Sequence, residues 1–140
     1  MSRIFWDTNL FIYLIEDYGK LSERVAVIRQ RMLERGDQLF TSSLTLGEVL
    51  VKPFDVGEEE LAEQYRYAIS SGATIIDFDS EAAVHYARIR HDRTIRPADA
   101  IQLACAAAAK VELFITNDDR LTQKVIPGIH FVTSMEKALI

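Results

Sequence analysis

The chain has 140 residues, 49% of them hydrophobic and 26% charged, an ordinary globular composition and enough for one core without disulfides or a structural metal. Its formal net charge is -5, from 16 Lys and Arg against 21 Asp and Glu, which argues against coating nucleic acid by bulk positive charge. A local basic strip, or an acidic site filled by metal ions, stays open. The single cysteine, Cys105, excludes an intrachain disulfide framework or a cysteine zinc site and reads as a small buried side chain that suits a reducing cytoplasm.

The first element is the apolar run Ile4-Phe5-Trp6, which stops at Asp7-Thr8-Asn9. It reads as a buried strand that delivers a carboxylate to its C-terminal end, the edge where open α/β sheets bind ligands. The polar trio also breaks what would be the apolar region of a signal peptide. No apolar stretch approaches the roughly 20 residues of a membrane helix, so no membrane association is expected.

Residues 10–18 predict a short helix closed by Gly19, and Ser22 is expected to cap a longer one with Val25, Ile28, Met32 and Leu33 on its inner face. Gly36-Asp37 ends it, and residues 38–41 read as a strand. Ser42 or Ser43 suits the N-cap of a helix carrying Leu44, Leu46, Glu48, Val49 and Leu50. Lys52-Pro53 is expected to stop that helix, because the residue before proline is pushed away from helical dihedrals. Glu58, Glu59 and Glu60 open the next helix at its positive end.

Residues 73–76 predict a strand, and Ser80 a capped helix through Ala83, Val84, Ala87 and Ile89, running into an arginine-rich segment with Arg88, Arg90, Arg93 and Arg96. Pro97 suits the first position of a further helix, which carries Asp99 in its opening turn and buries Ile101, Ala104, Cys105 and Ala108. Residues 112–115 form another strand, ending in Thr116-Asn117-Asp118-Asp119. A short helix over residues 121–125, a Pro127-Gly128 turn, a strand over residues 129–132 and a terminal helix from Ser134 finish the chain. Alternating strands and helices predict a single α/β domain over residues 1–140 with a mainly parallel sheet of about five strands.

Asp7 and Asp118 end strands, while Glu48 and Asp99 lie in early turns of helices. In a parallel α/β sheet these positions share one edge, so the four acids can converge. Each has a structural use as well: Asp99 suits a helix dipole, Glu48 a solvated helix face, and Asp7, Asp118 or Asp119 a helix cap. As a converging set they would repel one another, and a hard divalent cation such as Mg²⁺ or Mn²⁺, which prefers carboxylate oxygens, would neutralise them.

Asp7-Thr8-Asn9 after a hydrophobic strand, Glu48 in Ser-Ser-Leu-Thr-Leu-Gly-Glu-Val-Leu, Pro97-Ala-Asp-Ala-Ile-Gln-Leu-Ala104 and Leu113-Phe-Ile-Thr-Asn-Asp118 together resemble the four acidic motifs of the PIN domain, and are most similar to its stand-alone VapC-type toxins. The resemblance spans essentially the whole chain and implies a three-layer α/β/α fold. It implies Asp7, Glu48, Asp99 and Asp118, with Asp119 as an alternative fourth acid, as ligands of Mg²⁺ or Mn²⁺ in an endoribonuclease that leaves 5′-phosphate and 3′-hydroxyl ends. Thr8, Asn9 and Thr116 match the supporting polar positions. It also implies a homodimer and a cognate protein antitoxin, whose C-terminal segment in such pairs lies over the site.

Arg88, Arg90, Arg93 and Arg96 are candidate RNA phosphate contacts, or a solvated helix end and loop. His85, His91 and His130 read as subordinate. Two other readings stay open: an aspartate-phosphorylating phosphatase or receiver-like enzyme, and an inactive PIN-like RNA-binding or interaction module. Against the dehalogenase type, Asn9 stands where a second acid is needed.

Overall fold

The strands sort their side chains by parity. In β1 (Arg3–Trp6), Ile4 and Trp6 join one hydrophobic cluster and Phe5 the other; Leu39 and Phe40 of β2 (Gln38–Ser42) divide likewise, as do Ile115 and Phe114 of β4 (Leu113–Thr116). Both faces of the sheet are therefore buried, as parallel strands require. In this computed structural model, which describes residues 1–138, β3 (Thr74–Ile76) and β5 (Phe131–Ser134) form the two edges. The order is β3-β2-β1-β4-β5, and every pairing is parallel.

One face is covered by α1 (Thr8–Ile15), α2 (Lys20–Arg35), α3 (Ser43–Asp55) and α4 (Glu59–Gly72), through Leu10, Phe11, Val25, Ile28, Met32, Val49 and Ile69. The other is covered by α5 (Ser80–Ile89), α6 (Pro97–Ala108) and Leu121 of α7 (Asp119–Thr122), where Phe5 stacks on Phe114 with ring centroids 5.1 Å apart. These are the three α/β/α layers expected. From Gln102 to Ala107, α6 is buried at every position. Its alanines admit close neighbours: a Cβ at Gly128 (φ 89°) would lie 3.0 Å from that of Ala107.

Several local expectations shift. α2 begins two residues before Ser22, whose hydroxyl accepts from Tyr18 N–H (2.8 Å) and donates to the Glu16 carbonyl (2.9 Å), closing the loop rather than capping. Pro53 does not stop α3: its ring is buried in the last turn and its carbonyl accepts from Glu58 N–H at 2.8 Å, so burial there offsets one lost helical bond. Asp79, not Ser80, caps α5 by accepting from Ala82 N–H at 2.9 Å. Leu33 and Val84 face solvent.

At the C-terminal end the last strand lies two residues later than expected, because the sheet pairs Ser134 with Thr116. No helix starts at Ser134 among the described residues. Its hydroxyl accepts from Lys137 N–H at 3.1 Å and holds a turn, and residues 139–140 of the expected helix lie outside the described residues.

Candidate active site

The strand order reverses between β1 and β4, and such a switch point opens a crevice at the C-terminal ends of the strands. Asp7 and Thr116 sit side by side there: the β1–β4 pairing continues one residue past β1, with Asp7 N–H donating to the Ile115 carbonyl at 3.0 Å. The crevice is a cleft of about 400 Å³ lined by Asp7, Glu48, Asp99 and Asp118 together with Thr8, Asn9, Gln102 and Arg120. Four acids separated by up to 111 residues of sequence thus meet at one place, on the β1–α1 junction, α3, α6 and the β4–α7 junction.

Asp7 is held at both oxygens. Oδ1 accepts from Thr8 N–H at 2.9 Å, so the residue also caps α1, and Oδ2 accepts from Thr116 Oγ1 at 2.8 Å. Its carboxyl nevertheless lies above the ordinary carboxylate range, chiefly because burial penalises the charge, with Asp99 and Glu48 adding repulsion against the two hydrogen bonds. Asp99 is raised as well, by burial first and by the Asp118 charge second. Asp118 moves the other way, held below the usual range first by the hydrogen bond from Arg120.

Arg120 is the residue that sequence reading overlooked at this rim. Its Nε donates to Asp118 Oδ1 at 2.9 Å, Nη2 donates to Oδ2 and stands 3.8 Å from Asp99, and its backbone N–H completes the Asp118 cap at 3.0 Å. A guanidinium thus supplies counter-charge to two of the four acids. Asp119 lines a neighbouring depression with Gln123 and Ser134, whereas Asp118 lines the cleft.

Beneath the acids lies a polar cluster built from α6, α1 and α3. Gln102 Nε2 donates to Thr45 Oγ1 (2.7 Å) and Thr8 Oγ1 (2.9 Å), with Asp7 Oδ1 at 3.4 Å, while Thr8 Oγ1 donates to Glu48 Oε1 at 2.7 Å. Ser42, the N-cap of α3, donates to Gln102 Oε1. The one signal for Gln102 in the sequence is a lone amide one helical turn after Asp99 in a run of Ala, Leu and Cys.

Of the arginines, Arg96 stands at the N-cap position of α6 without a side-chain capping bond and is close enough to offset Asp99 and Asp118 electrostatically. Arg90 is spent on its own loop, donating to the Ile95 carbonyl at 2.6 Å, and Arg88 and Arg93 are exposed outside the cleft lining. Asn9 is exposed on the cleft wall.

The donor set is all oxygen, the chemistry of a hard divalent cation. Asp7, Glu48, Asp99 and Asp118 are the residues that could hold one. Among the described residues no group of three or more Asp, Glu, His or Cys is already arranged to grip an ion; Asp118 is turned to Arg120 and Glu48 to Thr8. The burial of Asp7 and Asp99, with repulsion among the acids second, leaves their charge poorly compensated, which fits a cation all the same.

A three-layer α/β/α domain with an acid-lined cleft at the switch point of a parallel sheet defines a class in which chemistry sits on the strand ends. The family model of the PIN domain matches residues 4–126, and the chain belongs to that family. Among solved structures it is similar to DNA-bound VapBC from Salmonella typhimurium, at 24% identity over 96% of this chain and 99% of that chain with a TM-score of 0.72. It is also similar to VapBC2 from Rickettsia felis bound to a promoter DNA fragment, at 17% identity, 94% and 98% coverage and a TM-score of 0.71. VapBC-5 from Mycobacterium tuberculosis follows at 19% identity, 95% and 99% coverage and 0.60. These likenesses show the fold. No functionally curated protein matches the sequence, and no helix among the described residues is long and apolar enough to cross a membrane.

Proposed function

We propose that the protein is a Mg²⁺- or Mn²⁺-dependent endoribonuclease and the toxin of a VapC-type toxin-antitoxin pair. The observation that carries the reading is the convergence of Asp7, Glu48, Asp99 and Asp118 on one cleft. Membership of the PIN family and the fold shared with VapBC complexes support it.

A cation held by these acids supplies charge neutralisation of the scissile phosphate and a water acidic enough to serve as hydroxide near neutral pH. The chain's own residues do the positioning: Thr116 and Thr8 N–H orient the Asp7 carboxylate, Thr8 orients Glu48, and Arg96 and Arg120 place positive charge at the rim where phosphates would enter. Attack is in line and leaves a 5′-phosphate and a 3′-hydroxyl, with no covalent enzyme intermediate. The expected partners are RNA, an antitoxin whose segment covers the cleft, and a second copy of the chain.

The test is incubation of the purified protein with RNA, with Mn²⁺, Mg²⁺ or excess EDTA, followed by mapping of the ends. Cleavage with either metal, its loss in EDTA and in Asp7→Asn or Asp99→Asn, and ligatable 5′-phosphates are expected. Full activity in EDTA overturns the reading.

A further inference from the structure

We propose that Gln102, acting through the hydroxyls of Thr8 and Thr45, is a positioning residue that sets the direction of a hydrogen-bond relay ending on Glu48. The assignment rests on the metal-nuclease reading above and adds residues to it. Gln102 is 2% exposed, and Thr45 and Ser42 are fully buried, so no solvent is at hand to exchange for a lost partner. Every proton in the cluster must therefore be placed within it.

The placement has one self-consistent solution. A carboxylate only accepts, so the short contact between Thr8 Oγ1 and Glu48 Oε1 (2.7 Å) commits the Thr8 proton to Glu48. Thr8 must then accept from both its other neighbours: from Gln102 Nε2 at 2.9 Å and from the Thr45 hydroxyl at 3.1 Å. Thr45, having given its proton to Thr8, accepts from the second amide hydrogen at 2.7 Å. That orientation leaves Gln102 Oε1 facing Ser42, whose own oxygen accepts from Thr45 N–H at 3.3 Å and whose proton goes to the amide.

Reversing the amide would aim its oxygen at both threonines. Thr8 would then turn its proton to Gln102, and Glu48 would meet a lone pair where it now meets a donor. Only an amide, with an acceptor on one side and two hydrogens on the other, satisfies the hydroxyl of α3's cap and the two threonines at once. In this way α6 sets the orientation of the carboxylate borne by α3, and Glu48, on an exposed stretch of helix, is anchored to a buried frame.

The test measures Mn²⁺ binding by calorimetry on the metal-free protein, with melting in EDTA recorded beside it. Thr45→Val touches no carboxylate and is nearly isosteric; it and Gln102→Met are expected to weaken Mn²⁺ binding about tenfold, the scale of groups that orient metal ligands. The double variant is expected to be no worse than Gln102→Met alone, since both break one relay. Thr45→Ser, which keeps the hydroxyl, is expected to restore wild-type affinity, and it keeps the question open to refutation should Gln102→Met fail to fold. If Thr45→Val and Thr45→Ser both bind Mn²⁺ like wild type and differ only in melting, the cluster is structural and the assignment fails alone. If the wild-type protein binds no Mn²⁺, the metal reading fails and takes the assignment with it.

Discussion

Replacing Asp7 by Asn should make the metal-free protein more stable. The Asp7 carboxyl sits above its ordinary range because burial, Asp99 and Glu48 together outweigh the bonds from Thr116 and Thr8, so its charge is a net cost to the fold. Asn keeps the shape and one acceptor for Thr8 N–H, and loses the charge-assisted bond from Thr116, worth about 1.5–3 kcal/mol. The relief of burial and repulsion exceeds that loss, for a net gain on the order of 1 kcal/mol, or roughly 2–4 °C in melting temperature for a chain of this size. Melting in EDTA by calorimetry reads it directly. With Mn²⁺ at a hundred times its dissociation constant the order should reverse, because the wild type gains about 2.7 kcal/mol by mass action and the variant loses a ligand. A variant that melts below wild type in EDTA would refute the claim that the cleft stores unneutralised charge.

The pH dependence has a definite sign. Asp7 and Asp99 are raised when folded, so the folded state holds their protons more tightly, and metal-free stability falls as pH rises from 3.8 through their raised values. Asp92 is lowered to about 2 by Thr94 and Lys124, so its contribution is lost in the opposite direction, as pH falls from 3.8 toward 2. Mn²⁺ affinity should drop as pH is lowered through the range where Asp7 and Asp99 protonate, and calorimetric titration across pH checks this. Arg120→Ala should tighten Mn²⁺ binding a few-fold, on the order of 2–5-fold, by freeing Asp118 and Asp99 from a rim ion pair; unchanged or weaker binding would count against the counter-ion role. Arg96→Gln should lower RNA affinity and flatten its salt dependence by about one charge, whereas Arg90→Gln, on a residue tied to its own loop, should leave that slope unchanged.

The sheet and the four acids were legible because each depends on local pattern: short apolar runs ending in acids, and helices opening with Pro97 or Ser42. Element edges were less so. Ser22 and Ser80 have the chemistry of caps, yet Gly19 and Asp79 hold those positions, a choice decided by which side chain faces the loop that folds back. The continuation of α3 through Pro53 depends on burial of its ring, which no residue-pair rule contains. Within the site, the acids announced themselves by placement, whereas Gln102 and Arg120 matter only through what stands opposite them in space. Gln102 is surrounded in sequence by apolar residues and in the fold by three hydroxyls.

The pairing of β1 with β4 also sets a schedule. Ile4 meets Leu113, and Asp7 meets Thr116, only after more than a hundred intervening residues have been made, and such distant contacts form late in folding. A chain emerging from the ribosome presents Asp7 long before Asp118, and the cleft has no fourth acid, and the central strand only one of its two neighbours, until residue 118 is out. On the nuclease reading proposed above, a partly synthesised copy lacks the completed cleft, so the interval in which an antitoxin would have to meet a newly made molecule opens only once residue 118 has emerged.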